Sequence, residues 1–385
     1  MIQKATRLND VKEYYFSKKL REIAGLMNDG KPIINIAIGS PDLQPPVAVI
    51  EALKSTMQLD NAHKYQSYQG IPALREGIAN FYQRNYNVSL NSNTEILPLM
   101  GSKEGIMHIS MAFLNKGDQV LIPNPGYPTY ASVTKLVEAE PISYNLTAES
   151  NWLPNFSAIE KQDLSKVKIM WVNYPHMPTG AVASKQDFEQ LISFAKRHHI
   201  LVVNDNPYSF ILNRQPQSIL AIEGAKEVAI ELNSLSKSFN MAGWRVGMVV
   251  GAAEILKTIL EVKSNMDSGM FLGIQNGAVA ALKLSDKWFH KQDEIYKKRR
   301  AIVWEIFDAL GCSYNTTIGG LFVWAKLPSG SKSEEFTDAL LYEKDIFITP
   351  GTIFGTNGEG YIRASLCVSE TILKEVLTRL TTVKS

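Results

Sequence analysis

The sequence predicts an α/β protein: a large domain with a mostly parallel central sheet covered by helices on both faces, then a smaller α+β domain. Three observations predict this. Apolar runs rich in β-branched residues, at 119–123, 168–173, 200–204, 228–232 and 246–251, recur with helical patterns between them. Strands that are apolar on both faces belong in a sheet that helices cover from both sides. After about Ser264 the pattern changes to long helical stretches and one alternating strand.

Taken in order, residues 1–40 are helical and polar until they reach Ile34-Asn-Ile-Ala-Ile-Gly39-Ser-Pro-Asp. They read as an arm packed on the small domain or on a neighbouring subunit. Residues 41–264 form the large domain. Its best-marked helix places Phe188, Leu191, Ile192 and Ala195 at i, i+3, i+4 and i+7, and Ser184 with Asp187 three residues on makes a capping box. Residues 265–385 form the small domain, with helical stretches at 275–284 and 286–310, the alternating strand that starts Gly319-Gly-Leu-Phe-Val-Trp, a further helix, and the strand Tyr361-Ile-Arg-Ala-Ser. There is no internal repeat and no low-complexity linker.

Composition narrows the function classes. The chain has 385 residues, 45% hydrophobic and 20% charged, with a net charge of +2. That balance gives no reason to expect nucleic acid or an anionic membrane as partner, and the basic run Lys297-Lys298-Arg299-Arg300 reads as the solvated face of a helix. Two cysteines make neither a disulfide framework nor a Cys-rich metal site, which fits a reducing cytoplasm. No apolar h-region follows the first residues and no run reaches the length of a membrane span.

In a parallel sheet ligands bind beyond the carboxyl ends of the strands. That rule gathers 173–180, 205–208 and 234–237 on one rim. The last segment, Ser234-Leu-Ser236-Lys237, has Arg245 eight residues on. A lysine among small hydroxyls suits a Schiff base, and serine and arginine suit a phosphate; together they point to pyridoxal 5′-phosphate. An ordinary exposed Lys-Ser loop would look the same in isolation. Asp205-Asn-Pro-Tyr208 places a carboxylate where it would keep a pyridine nitrogen protonated, with a phenol for the ring's 3-oxygen; a capping turn is the bland alternative. Gly101-Ser102-Lys103 opens a helix and so presents N–H groups to an anion, or simply caps that helix. It lacks Walker spacing, and no Gly-x-Gly-x-x-Gly follows a strand. Tyr127, in a proline-stiffened loop, offers a ring to lie against a cofactor or merely packs. Arg363, in an apolar strand, offers a fork for a carboxylate or faces water at an edge. His198 and His199 read as solvent-facing, no His/Asp/Glu cluster has metal-ligand spacing, and there is no Gly-x-Ser-x-Gly elbow.

In this order, over about residues 34–365, these segments resemble the class I/II aminotransferases, the aspartate-aminotransferase-like group of fold type I. The resemblance implies pyridoxal phosphate bound as a Schiff base on Lys237, with Ser234, Ser236 and Arg245 around the phosphate and Gly101, Ser102 and Lys103 as its binding turn. It implies Tyr127 stacked on the ring, Asp205 and Tyr208 on the ring nitrogen and 3-oxygen, and Gly39 and Arg363 at the substrate carboxylate. Tyr65 matches a tyrosine that reaches the neighbouring subunit's phosphate, which implies a homodimer with shared sites. The implied activity is ping-pong transfer of an amino group from an amino acid to a 2-oxo acid. One position departs from the pattern. The usual Asn-Pro-Thr-Gly reads Met177-Pro-Thr-Gly180, which leaves Tyr208 to hold the 3-oxygen alone, or with water or His176, unless Asn173 substitutes. Two rivals share the fold: a carbon–sulfur β-lyase, whose Pro-His-Asn-Pro-Thr-Gly is similar to the segment beginning Pro175-His176, and a non-catalytic regulator. The donor amino acid is left open. Tyr14, Tyr15, Phe16 and Trp152 are candidates for its side-chain pocket, and no second arginine can be assigned to a distal carboxylate.

Overall fold

The computed structural model describes residues 2–382; Met1 of the expected arm and 383–385 of the expected small domain lie outside the described residues. The chain opens with α1 (Tyr15–Asn28) and the short β1 (Ile34–Asn35), then α2 (Val47–Thr56) and α3 (Pro72–Tyr86). A βα series follows: β2 (Ile96–Leu99), α4 (Ser102–Phe113), β3 (Gln119–Asn124), α5 (Pro128–Leu136), β4 (Glu140–Asn145), α6 (Phe156–Ile159), β5 (Val167–Val172), α7 (Lys185–His198) and β6 (Leu201–Asp205). It ends with β7 (Ala229–Ser234), the one-turn α8 (Leu235–Ser238), β8 (Gly247–Gly251), α9 (Ala253–Lys263) and α10 (Leu272–Leu282). The long α11 (Asp286–Ala309) leads to β9 (Ser313–Tyr314), β10 (Phe322–Lys326), α12 (Ser333–Lys344), β11 (Ile346–Phe347), β12 (Thr349–Pro350), β13 (Tyr361–Ser365) and α13 (Glu370–Thr381).

The central sheet has seven strands in the order β2-β8-β7-β6-β5-β3-β4, all parallel except β8, which runs against both neighbours. The period-2 geometry of a strand sends alternate side chains to opposite faces. Accordingly Met170 and Val172 join α3, α7 and α10 in one apolar cluster, while Ile169 and Trp171 join α4, α5 and α9 in another. This is why the strand sequences are apolar throughout. Ser184 and Asp187 form the expected reciprocal cap of α7.

Four points differ from the sequence reading. The 246–251 run is antiparallel, and two strands, β2 and β4, had no apolar run long enough to announce them. Helix α10 packs on α2 and α3 and buries Ala278 and Ala281 in the large-domain cluster; α11 carries Phe289 in that cluster and Tyr296, Ile302 and Ile306 in the small-domain one. The passage between domains therefore runs along α11 and not through Ser264. Finally, the basic run on α11 is only partly solvated. Arg299 is buried and forms a fork with Asp42 (2.6 and 2.9 Å), and Arg300 lies 4.9 Å over the Trp304 ring.

The small domain is the antiparallel sheet β12-β13-β10-β9 backed by α11 and α13. The arm joins it: β1 pairs with β11, and Phe16 and Ile23 of α1 pack with Leu341 and Phe347. Among the described residues no helix is long and apolar enough to cross a membrane.

Candidate active site

The rim of the central sheet is one place built by five chain segments. Ser234 pairs with Gly247, and Gly247 with Leu99, so the starts of α8, β8 and α4 lie side by side. The site is a cavity of about 490 Å³ between this rim, the small-domain sheet and the arm.

Lys237 sits in α8, whose first turn is closed by Ser234: the Ser236 N–H donates to Ser234 Oγ at 3.1 Å, and the two hydroxyls lie 2.8 Å apart. Its ammonium donates to the Gly39 carbonyl at 2.5 Å. Burial, helped by Arg363 and Arg245, holds its pKa below the usual lysine range, although Cys367 and Asp205 pull the other way. Gly39 has no room for a side chain, since a Cβ would lie 2.2 Å from the Phe322 ring.

Asp205 ends β6 and is buried. Tyr130 donates its phenol to Oδ2 at 2.9 Å, the backbone carbonyl accepts from the Asn173 amide, and Oδ1 has no partner. Burial pushes the carboxyl up to about 6, against the Tyr130 bond and the Lys237 charge. Tyr130 is fixed by stacking on Trp171 at 4.9 Å and by its edge contact with Tyr127. Tyr127 and Tyr208 both line the cavity, and burial raises both phenol pKa values.

At the opposite end, Gly101 adopts φ +94° before Ser102 opens α4. A Cβ on Gly101 would lie 2.2 Å from the Arg245 guanidinium, and one on Gly247 would lie 2.6 Å from the Ser102 nitrogen. Two glycines thus let a guanidinium close on a helix N-terminus, an arrangement made for an anion. Lys103 lies 4.6 Å over the Tyr14 ring, its pKa lowered by burial and by Arg245.

Arg363 lies on β13 opposite Trp324 and is 3% exposed. Its guanidinium is 3.8 Å from the Phe322 ring centre and 4.6 Å from that of Phe354; Nη2 donates to Ala37 O (2.8 Å), Nη1 meets the Met177 sulfur (3.2 Å), and Nε has no partner. Burial lowers its pKa to about 10. Among the described residues no carboxylate pairs with it, so a buried cation is left facing the cavity.

The cavity thus brings together Gly39, Ser102, Lys103, Tyr127, Asp205, Tyr208, Ser234, Ser236, Lys237, Arg245 and Arg363, with Gly101 directly behind the guanidinium. Tyr65 is outside it and 91% exposed. His176 does not line it either: the ring is buried, bonds Thr179 through Nδ1 at 2.8 Å, and burial drops its pKa to about 3. Asn173 lines the cavity, but both ends of its amide are taken, one by the Asp205 carbonyl and one by the Met177 N–H. Of the four side-chain candidates, Tyr14 and Phe16 line the cavity, whereas Trp152 lies in a second cleft with Trp324 and Tyr361. Tyr130, Leu20 and Phe354 were not visible in the sequence; Tyr130 sits three residues after Tyr127, and only the fold shows that it meets Asp205. Among the described residues one metal-type group exists in space: Glu104, His108 and Asp267 have ligand atoms within 4.8 Å of one another. No such cluster was found in the sequence, and Asp267 joins the other two only through the fold. Lys263 already supplies the cation there, 2.8 Å from Asp267.

The decisive comparison is with protein families: the class I and II aminotransferase model matches residues 31–380. The chain belongs to that family. This aminotransferase is 41% identical over 381 residues to LL-diaminopimelate aminotransferase of Dehalococcoides mccartyi, covering 98% of each chain. It is 38% identical over 386 residues to the enzyme of that name from Aquifex aeolicus, covering 100% of each. Among solved structures, substrate-bound BacF from Bacillus subtilis matches with a TM-score of 0.95 and 35% identity, over 99% of this chain and 97% of that one. The expected fold and the expected transfer of an amino group between an amino acid and a 2-oxo acid both stand.

Proposed function

We propose that the cavity holds pyridoxal 5′-phosphate and that Lys237 is the amine that binds it covalently and moves the proton in each half-reaction. The observation that carries this is the buried, partnerless Oδ1 of Asp205 in the same cavity as the Lys237 amine. Such an oxygen needs a donor, and a pyridinium N–H is one. The donor set fits the rest of the group: Ser102 and its N–H, Lys103, Ser234, Ser236 and Arg245 for the phosphate, Tyr127 for the ring face and Tyr208 for the 3-oxygen. When bound, the cofactor supplies an aldehyde and a cationic ring able to take up electrons from the α-carbon.

The chain's residues do the remainder. Burial reduces the basicity of Lys237, so it gives up its proton to become the nucleophile and base more readily than an exposed lysine would. Once released by the incoming amino acid, it takes the proton from that donor's Cα. Arg363 grips the α-carboxylate, and so turns the Cα–H toward Lys237. Asp205 keeps the ring nitrogen protonated, and Tyr130 keeps Asp205 ionised and aimed.

The exposed Tyr65 supports a homodimer in which it reaches the second copy's phosphate. Two free, buried cysteines support a reducing, cytoplasmic setting. The names of its relatives make LL-diaminopimelate the first donor to try. The test adds pyridoxal phosphate to cofactor-free protein, follows visible absorption, then reduces with borohydride and maps the labelled peptide. Label on Lys237, lost with Lys237→Ala, is expected; absence of a chromophore, or label on another lysine, would refute the assignment.

A further inference from the structure

Resting on that reading and deepening it, we infer that Asp42 and Arg299 are positioning residues for the substrate's α-carboxylate. Their fork fixes the segment 36–42, and through it the direction in which Arg363 offers its guanidinium. The segment leaves β1 and passes along the cavity, which Ile38, Gly39 and Ser40 line. Two of its carbonyls meet the two groups that the proposed mechanism uses. Ala37 O accepts from Arg363 Nη2 at 2.8 Å, and Gly39 O accepts from Lys237 at 2.5 Å. Neither carbonyl belongs to a helix or strand, so each points where the ends of the segment hold it.

The first end is tied by backbone. Ile36 N–H donates to Phe347 O at 3.0 Å, and Ile36 O accepts from Ser365 N–H at 2.7 Å. The side-chain oxygen of Asn35 accepts from Ala37 N–H at 3.0 Å. The far end has no such ties: among the described residues, 39–43 make no backbone–backbone hydrogen bond. What fastens it is the Asp42 side chain, whose two oxygens accept from Arg299 Nη1 and Nη2 at 2.6 and 2.9 Å. The same Nη1 donates to Leu366 O at 2.9 Å, one residue beyond β13, the strand that carries Arg363. One guanidinium thus sets both the carbonyl that Arg363 holds and the strand from which Arg363 projects. There is little slack between them, because Gly39 and Arg363 both press on the Phe322 ring. Arg299 is 4% exposed but Asp42 is 31% exposed, so the pair adds little net stability. What a two-point fork supplies is direction. A carboxylate held at both oxygens by Arg363 depends on that direction, since the two planar groups must align.

The experiment loads the full-length enzyme with pyridoxal phosphate and compares two probes, 2-methylalanine and tert-butylamine, which has a methyl in place of the carboxylate. Neither has a hydrogen on Cα, so binding is read from visible absorption without turnover. The unchanged enzyme is expected to prefer 2-methylalanine at least fiftyfold. In the double variant Asp42→Leu with Arg299→Met, which leaves no charge unpaired, that preference should fall at least tenfold while pyridoxal phosphate affinity stays within twofold. An unaltered preference would overturn the inference, and so would an equal loss of cofactor affinity, which a merely structural pair predicts. Asp42→Glu keeps both charges and lengthens the fork by one methylene, and it carries the test if the double variant does not fold. Its preference should fall at least threefold, and no fall would equally overturn the inference. Arg363→Ala separates the two layers. Full preference retained in that variant, or no preference in the unchanged enzyme, would remove Arg363 as the carboxylate anchor and with it the reading on which the inference rests.

Discussion

Asp205 shows how the fold sets one residue's chemistry. Its carboxyl titrates near 3.8 when free and at about 6 in the folded chain, because burial disfavours the charge. Between those values the native state holds the proton and the unfolded state does not. Stability of the cofactor-free protein therefore falls as pH rises through this window, and the whole cost is present above it. Asp205→Asn removes the cost. It should stabilise the cofactor-free protein at about pH 7.5 by on the order of 2–3 kcal/mol and change little at about pH 4. Denaturant titrations of both proteins at the two pH values check this; a variant no more stable at the higher pH would contradict it. The comparison isolates Asp205 from His176, which is buried neutral in both proteins and works in the opposite sense on acidification. The residue itself was legible in the sequence, since a carboxylate at a strand's carboxyl end is placed by topology alone. Tyr130 was not, because 75 positions separate it from Asp205 and no spacing rule links a helix turn to a strand two places across the sheet. Nor could Met177 be given a contact: its sulfur meets Arg363 from 186 positions away.

At the scale of elements, what the sequence announced was whatever local periodicity demanded. Runs apolar on both faces gave β3, β5, β6 and β7, and a side-chain cap gave the start of α7. Strand β2 is four residues with Pro98 inside it, and β4 is a sheet edge with mixed exposure, so neither carries a periodic signal. The antiparallel sense of β8 depends on its partners and on the short α8 connection, which composition does not encode. Two substitutions separate element stability from element function. Ser184→Ala removes the hydroxyl that accepts the Asp187 N–H and should cost about 1 kcal/mol of stability with no change in cofactor affinity. Gly101→Ala strains a residue at φ +94° and drives a methyl into the Arg245 guanidinium. It should weaken pyridoxal phosphate binding at least tenfold, measured by equilibrium dialysis, with far-UV circular dichroism unchanged. Equal affinity in Gly101→Ala would mean that the α4 N-terminus and Arg245 do not act together on the phosphate.

At the scale of the whole molecule, the parts that make the site come from three bodies: the sheet rim, the small-domain sheet with Arg363, and the arm with Phe16. The surface suggests a fourth. Met57, Leu59, Tyr65 and Tyr68 are large apolar or aromatic side chains left exposed within a dozen residues, and Met266 is exposed in the loop seated against them, where Lys263 bonds the Tyr68 carbonyl and Gly269 packs on Gln66. Exposed apolar side chains gathered in this way are what a subunit interface would cover, and a symmetric pair would bury the same residues on both copies. In such a pair Tyr65 has a reason to project into solvent on one copy, since it would enter the phosphate end of the other. Leu59→Asp places a charge in that patch without touching a cavity residue. It should shift the protein to a monomer in sedimentation velocity and weaken pyridoxal phosphate binding at least tenfold, because the monomer lacks the second copy's Tyr65. Tyr65→Phe should keep the dimer and lose only the part of the affinity owed to the phenol. A Leu59→Asp protein that stays dimeric would place the interface elsewhere, and a monomer with full cofactor affinity would show that each copy builds its phosphate site alone.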